Sequence, residues 1–452
     1  MSRTLLLAAS TVAILTASPA FAADTDLEVI RNEIKAMQQA YERKIQQLEN
    51  KVETLEAKQT QTAAKVAATE PAAGGSSIPA TSERRINDSS FNPEISVILQ
   101  GQYQNFSEES SEFSGFAVGE EAERGSEGFG IDETELNLSA SVDNLFRGST
   151  TVALVEEGGG TEVEIEEAYV ETMSLPYGLQ AKAGRFFSEL GYLNSHHSHA
   201  DDFADRPLTN RAFLNGNYGD DGVQISAVLP TDFYSEVGGG VYRGEDFPGG
   251  GADGNDIGSW TAYGRVGGDI GDNTSWRLGL STLQVDGAER SANEDAVTFD
   301  GDSGLYIADA RMVYAPTGNN AEQEITLQGE YFYRDEDGTY EDMDAGTGTV
   351  AYDDGQSGWY AQSVYKFHPK WRVGARYSQL YAGDVPAGLT GSALDDGDHN
   401  PWSATAMVDW TNSEFSRARL QFNREELSDG NEDDQIILQY IMSLGAHGAH
   451  AY

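Results

Sequence analysis

Residues 132–143 read DETELNLSASVD, and in this stretch every second side chain is apolar. Leu136, Leu138, Ala140 and Val142 fall on one side of an extended chain, and Glu133, Glu135, Asn137 and Ser139 fall on the other. The pattern recurs at both ends of the region it belongs to. In EISVILQGQYQNF (94–106), Ile95, Val97, Leu99 and Tyr103 oppose Ser96, Gln100, Gln102 and Gln104; near the C-terminus, Ile436, Leu438, Tyr440, Met442 and Leu444 share one face. A strand with one apolar and one strongly polar face suits a sheet that meets lipid on one side and a wet lumen on the other, rather than a dry sandwich core.

Working outward, sixteen such runs are expected, near 94–106, 130–142, 145–156, 162–173, 178–188, 222–230, 234–242, 258–270, 273–285, 303–315, 322–334, 357–368, 370–381, 401–411, 414–427 and 434–445, with 206–219 able to add one. Short turns such as DNLFRG and FHPK alternate with acidic, Gly-rich excursions at 107–128, 286–302, 335–356 and 383–400. Short turns on one side and long loops on the other are what a transmembrane β-barrel shows. Trp260, Trp276, Tyr306, Tyr314, Trp359, Tyr365, Trp371, Trp402 and Trp410 fall near strand ends, as interfacial girdles require. The rival all-β reading, a secreted propeller or sandwich, has no such requirement. About 22 residues per strand and connection fit strands of about 9–11 residues and leave no room for a larger, plugged transporter barrel.

The N-terminus carries an export signal: Arg3, an apolar run from Leu5 to Leu15, and Ala20-Phe21-Ala22 as the cleavage site, so residues 1–22 are expected to be removed. Residues 24–59 read as a periplasmic coiled coil. Leu27, Ile34, Tyr41, Leu48 and Leu55 recur every seven residues, beside Ile30, Met37, Ile45 and Val52 with a one-residue shift. A helix this polar is marginal alone, so oligomerisation through residues 27–59 is expected; the core residues do not specify the number, and a homotrimer is what a porin-like barrel suggests. Residues 60–91 are Ala, Thr, Pro, Gly and Ser, a flexible linker, and 92–452 form the barrel. The fold class is therefore an all-β transmembrane antiparallel barrel of about sixteen strands preceded by an α-helical coiled coil.

The chain has 74 acidic and 29 basic residues, a formal net charge of −45, which repels nucleic acid and attracts cations. The mean hydropathy of −0.48 excludes helical spans only. The absence of cysteine removes a lipoprotein anchor, disulfides and thiolate ligands.

Three of the seven histidines fall in HHSHADDFAD: His196, His197 and His199, with Asp201, Asp202 and Asp205. Imidazole with carboxylate is a first shell for Zn²⁺ or another borderline divalent ion, and the alternative is an ordinary solvated loop. His197, His199 and Asp202 are the leading ligands, with His196 and Asp205 beside them. His447 and His450 in the tail GAHGAHAY are either a second metal site or part of a loose periplasmic tail or assembly signal. In EVEIEEAYVET, Glu164 and Glu166 point the same way; with Glu133 and Glu135 they can ring a lumen and favour cations, or form an acidic strand without that role. No nucleophile elbow, phosphate-binding loop or dinucleotide fingerprint is present, so no enzymatic activity and no required cofactor are expected.

Several segments resemble the zinc-regulated outer-membrane receptors, often labelled TonB-dependent receptors: ISVILQGQY, ETELNLSASVDNLF, VEIEEAYVETMSLPYGLQAKAGRFFSELGYLN, HHSHADDFADRPLTNRAFL, DGVQISAVLPTD, SEFSRARLQFN and YIMSLGAHGAH. With the coiled coil, the chain is also similar to legiobactin-type siderophore porins. The resemblance implies a barrel in the Gram-negative outer membrane linked to zinc or metal-chelate uptake. It matches His197 and His199 to the family's His-x-His, Asp202, Phe203 and Asp205 to the residues that follow, and His447 and His450 to its tail. Two departures stand out: the loop after the first strand is acidic and without histidine, and Asp201 replaces a tryptophan. The function expected is a passive, cation-favouring porin for zinc or metal chelates, with a siderophore or general small-solute porin, or a non-conducting structural or adhesive barrel, as alternatives.

Overall fold

The computed structural model describes residues 93–445 except 109–111, 123, 132, 158–159, 251–256 and 414. The export signal, coiled coil, linker, His447 and His450 lie outside the described residues.

The strands are β1 (Glu94–Asn105), β2 (Gly128–Ile131), β3 (Glu133–Ser141), β4 (Phe146–Glu157), β5 (Gly160–Thr172), β6 (Leu179–Phe187), β7 (Gly219–Val228), β8 (Tyr234–Tyr242), β9 (Ser259–Ile270), β10 (Thr274–Ala292), β11 (Val297–Tyr314), β12 (Glu324–Asp342), β13 (Val350–His368), β14 (Trp371–Tyr381), β15 (Trp402–Ser413), β16 (Ser416–Ser428) and β17 (Asn431–Gly445). From β3 onward each pairs antiparallel with the next, and β17 returns to β1, from Ser96 opposite Gly445 to Asn105 opposite Ile436. The other edge of β1 is shared by β3, from Glu94 opposite Ser139, and β2, through Gln104 opposite Gly128. β2 and β3 are thus one interrupted stave, and seventeen strands fill sixteen positions of a closed barrel. Closure leaves no edge whose N–H and C=O groups would go unpaired in hydrocarbon.

The alternation is inside out relative to a water-soluble sheet. On β12, Thr326, Gln328, Glu330, Arg334 and Glu336 are buried, while Leu327, Tyr331 and Tyr333 are exposed. On β3, Leu136 and Leu138 face out, and Glu135 and Ser139 are buried. Trp260, Tyr306, Tyr314, Trp371 and Trp410 all face outward. An apolar exterior over a polar interior is stable only with lipid outside.

One end of the barrel carries tight turns, at 142–145, 229–233 and 271–273; the other, the mouth, carries the connections 106–127, 188–218, 243–258 and 382–401. β10 to β13 are 18 or 19 residues long, well beyond the roughly 9–11 that cross a bilayer. Their mouthward halves turn apolar residues inward. Val285, Phe299, Phe332 and Tyr340 pack there against Phe113 and Phe116 of the connection 106–127, Phe213 of 188–218 and Leu389 of 382–401. The mouth therefore contains a hydrophobic core.

Two expectations are corrected. The stretch 206–219 is not a strand but holds a short helix, α1 (Leu208–Leu214), entered from Pro207 and closed by Asn215 in the left-handed region at φ 51°. Every residue of α1 is buried, so it has no polar face, and its sequence showed no helical stripe. The excursions 286–302 and 335–356 are largely the outer reaches of the β10–β11 and β12–β13 hairpins. Ala288, Val297 and Phe299 point into the mouth core, whereas the charge that made these stretches read as loops, such as Glu289 and Asp300, points out.

Candidate functional site

The connection between β6 and β7, residues 188–218, folds into the barrel. Gly191 donates its backbone N–H to Ser281 Oγ at 2.9 Å and Leu193 donates to Glu330 Oε1 at 3.1 Å, fixing the segment to the inner faces of β10 and β12. From there it runs between two walls of opposite charge.

The acidic wall is built by β3 and β5. On β5 the register against β4 shifts, so that Thr151 faces Glu167 while Val152 faces Ile165. This bulge carries Glu166 as the extra residue, and the consecutive carboxylates of Glu166 and Glu167 both reach the lumen. Between them stands His197. Its Nε2 meets Glu167 Oε2 at 3.0 Å; its Nδ1 lies 3.4 Å from Glu166 Oε2 and 3.6 Å from Glu135 Oε2. His199 stacks on His197, ring centroids 5.7 Å apart, and its Nδ1 meets Glu135 Oε1. Ser198, between the two histidines, hydrogen-bonds Glu133. Glu164 is half-buried on the same strand, opposite the inward Ala153.

Glu133, Glu135, Glu166 and His197 each present a ligand atom within 4.8 Å of the others. Ligands about 2.0–2.1 Å from a tetrahedral ion stand about 3.3 Å apart, close to the spacing around His197 Nδ1. That nitrogen and Glu166 Oε2 are both buried without a hydrogen-bond partner. Glu167 on the far nitrogen supplies the carboxylate–imidazole pairing that orients a metal-binding histidine. The donor set fits a borderline divalent ion.

The basic wall comes from β14 and β16. Arg372 reaches Asp202 at 2.7 Å and also Asp409; Arg376 donates to Asp205 Oδ1 at 2.7 Å. Arg419 holds Asp409 at 2.9 Å and donates to the carbonyl of Asp201 at 2.9 Å, and Arg417 donates to the carbonyl of His199 at 2.7 Å. Phe203 fills the space beside Val364 and Met407. The run His-Ser-His-Ala-Asp-Asp-Phe-Ala-Asp therefore divides its labour: the imidazoles face the carboxylate wall, Asp202 and Asp205 face the arginine wall, and Asp201 pairs with Arg206 of the same connection at 2.7 Å.

Of the five candidate ligands read from the sequence, His197 and His199 come together with Glu133, Glu135 and Glu166. Asp202 and Asp205 lie against Arg372 and Arg376 instead. His196 stacks on Tyr192 at 4.7 Å, and burial pulls its pKa down to about 4, so it is neutral. Sequence reasoning missed Glu167 and the whole arginine wall. The bulge gave no separate signal in a run of glutamates. The arginines were visible only as polar-face members of WRVGARYSQL and SRARLQF, strands far from the histidines in sequence.

No family model matches the chain. A protein of Aquifex aeolicus (strain VF5), described as uncharacterized, is 29% identical over 395 residues and the match covers 80% of each chain. Among solved structures the chain is similar to a loop-deletion mutant of OmpT, an outer-membrane protein of Vibrio cholerae (TM-score 0.49, 11% identity, 78% of this chain and 99% of that one). It is also similar to Pseudomonas putida OprB (0.49, 10%, 78% and 94%) and to the outer-membrane channel DcaP of Acinetobacter baumannii (0.49, 9%, 78% and 97%). OmpT is described as an outer-membrane protein and DcaP as an outer-membrane channel, and none of the three is described as a zinc-regulated receptor.

Proposed function

We propose that this chain is an outer-membrane, porin-like channel through which divalent metal ions, zinc foremost, or small metal chelates pass without an energy source. The observation that carries this reading is the cluster of His197 Nδ1 and Glu166 Oε2, 3.4 Å apart on the lumen wall, with Glu133 and Glu135 beside them. Three carboxylates gathered round one imidazole nitrogen in a sheltered place repel one another and are costly unless a proton or a cation sits among them. The carboxylates of β3 and β5 favour cations along that wall, and the chain's excess of acidic residues raises their local concentration.

A second reading, a barrel that does not conduct, is favoured by the hydrophobic core across the mouth. Single-channel recording of refolded protein in planar bilayers separates the two. Open channels whose current micromolar Zn²⁺ reduces, in wild type but not in His197→Ala/Glu166→Gln, support metal-linked passage. Open channels indifferent to Zn²⁺ favour a general or siderophore porin. Silence in every recording favours the structural barrel.

A further inference from the structure

Arg277 on β10 and Arg311 on β11 are direct cross-strand partners. On antiparallel strands such partners stand about 5 Å apart, and like charges placed so repel. Both guanidinium groups lie over one ring, that of Tyr192 on the inward connection, at 4.9 and 5.1 Å from its centroid. Arg277 has some compensation: it donates to the carbonyl of Gly191 at 3.0 Å and lies 3.6 Å from Asp309. Arg311 has none of this kind. Among the described residues no carboxylate comes within ion-pair reach of it, and its contact with Tyr192 softens the charge without neutralising it. The Nε atoms of both arginines are buried and unpartnered, while the Arg277 side chain keeps 23% of its exposure and Arg311 is likewise half-buried. The charges thus remain within reach of lumen solutes.

We propose that Arg277 and Arg311, seated on Tyr192, form a binding site for an oxyanion, the carboxylate or phosphate group of a solute in the lumen. A guanidinium fork matches either group with two parallel hydrogen bonds, and an anion placed between two forks turns their repulsion into attraction. The barrel holds an internal example of the same chemistry. The register carries the row from Arg311 to Gln328, Gln362 and Arg376. At its end Arg376 grips the carboxylate of Asp205, which also accepts from Asn423 at 3.1 Å. Other lumen arginines, among them Arg265, Arg372, Arg376 and Arg419, are each matched with a carboxylate of the chain. Arg311 is the position on this row where the matching anion has to come from outside. The site is separate from the carboxylate–imidazole cluster and stands whether or not that cluster binds metal.

The test is calorimetric titration of refolded, full-length protein in detergent with inorganic phosphate and, separately, with tricarballylate, on wild type, Arg311→Gln and Arg277→Gln/Arg311→Gln. Saturable binding of either probe, weakened about tenfold or more in Arg311→Gln and lost in the double variant, is expected; the probe that binds tells whether the site prefers phosphate or carboxylate. Arg311→Lys keeps the charge but loses the fork, and it should retain part of the affinity, which also covers the case in which the glutamine variants fail to fold. No saturation by either probe in wild type, or equal binding by wild type and whichever arginine variants fold, would overturn the site.

Discussion

Glu166 and Glu167 are consecutive in the chain, yet they address the two different nitrogens of one imidazole, that of His197. The bulge in β5 makes this possible, since a regular strand would send one of the two carboxylates toward lipid. At the proposed metal site the pair would supply a ligand and an orienting partner from two consecutive residues.

Their roles should separate under mutation. Replacing Glu167 with Gln leaves the ligand atoms in place and weakens the hold on the ring, so Zn²⁺ affinity is expected to fall about 10–100-fold. Glu166→Gln removes a charged ligand and should reduce affinity at least as much. Titration calorimetry on refolded protein measures both; unchanged affinity in the two variants would sink the assignment.

Asp409 is fully buried between Arg372 and Arg419. Truncating Arg419 to Ala should cost about 3–5 kcal/mol, because a buried carboxylate loses a partner and the carbonyl of Asp201 loses its donor. The double change Arg419→Met/Asp409→Leu should recover a large part of that loss. Unfolding in urea, followed by heat-modifiable gel mobility, reads both values.

Phe213 sits at the centre of the mouth core, packed between Phe116 and Phe332. Phe213→Ala should destabilise the core by about 3–5 kcal/mol. In bilayers the same variant should raise either conductance or open probability. Identical records for variant and wild type would mean that this core does not obstruct the path.

Asp201 is buried beside Arg206 and Asp202, and burial raises its pKa to about 6. The folded state therefore holds this proton more tightly than the unfolded chain, whose aspartate titrates near 3.9. Asp201 alone makes stability fall as pH rises from about 4 to about 6, by at most about 3 kcal/mol, and the penalty persists above that range. Asp201→Asn should thus be more stable relative to wild type at pH 7 than at pH 4, as melting temperatures at the two values will show. A difference between the two proteins that does not change with pH would contradict this.

Much of the barrel could be read from the sequence because its signal is local. In DETELNLSASVD the alternation alone places Glu135 inside and Leu138 outside, and each strand repeats the exercise independently. What escaped depended on distant partners. Glu167 turns inward only because β5 slips against β4. Asp202 leaves the histidines because Arg372, 170 residues later, is in reach. α1 looked like a strand because its surroundings, and not an amphipathic stripe, decide its conformation. The mouth core stayed hidden because the hairpins that line it carry their charges on the outside, where they dominate the composition.

The mouth core joins three connections that are remote in sequence, each contributing large side chains to the same cluster. Such an assembly cannot loosen one piece at a time without exposing the others to water. Passage through the mouth should therefore be all-or-none: long closed intervals broken by abrupt transitions to a single conductance level, rather than a graded flicker, with a dwell time set by the cooperativity of the cluster rather than by the width of the lumen beneath it.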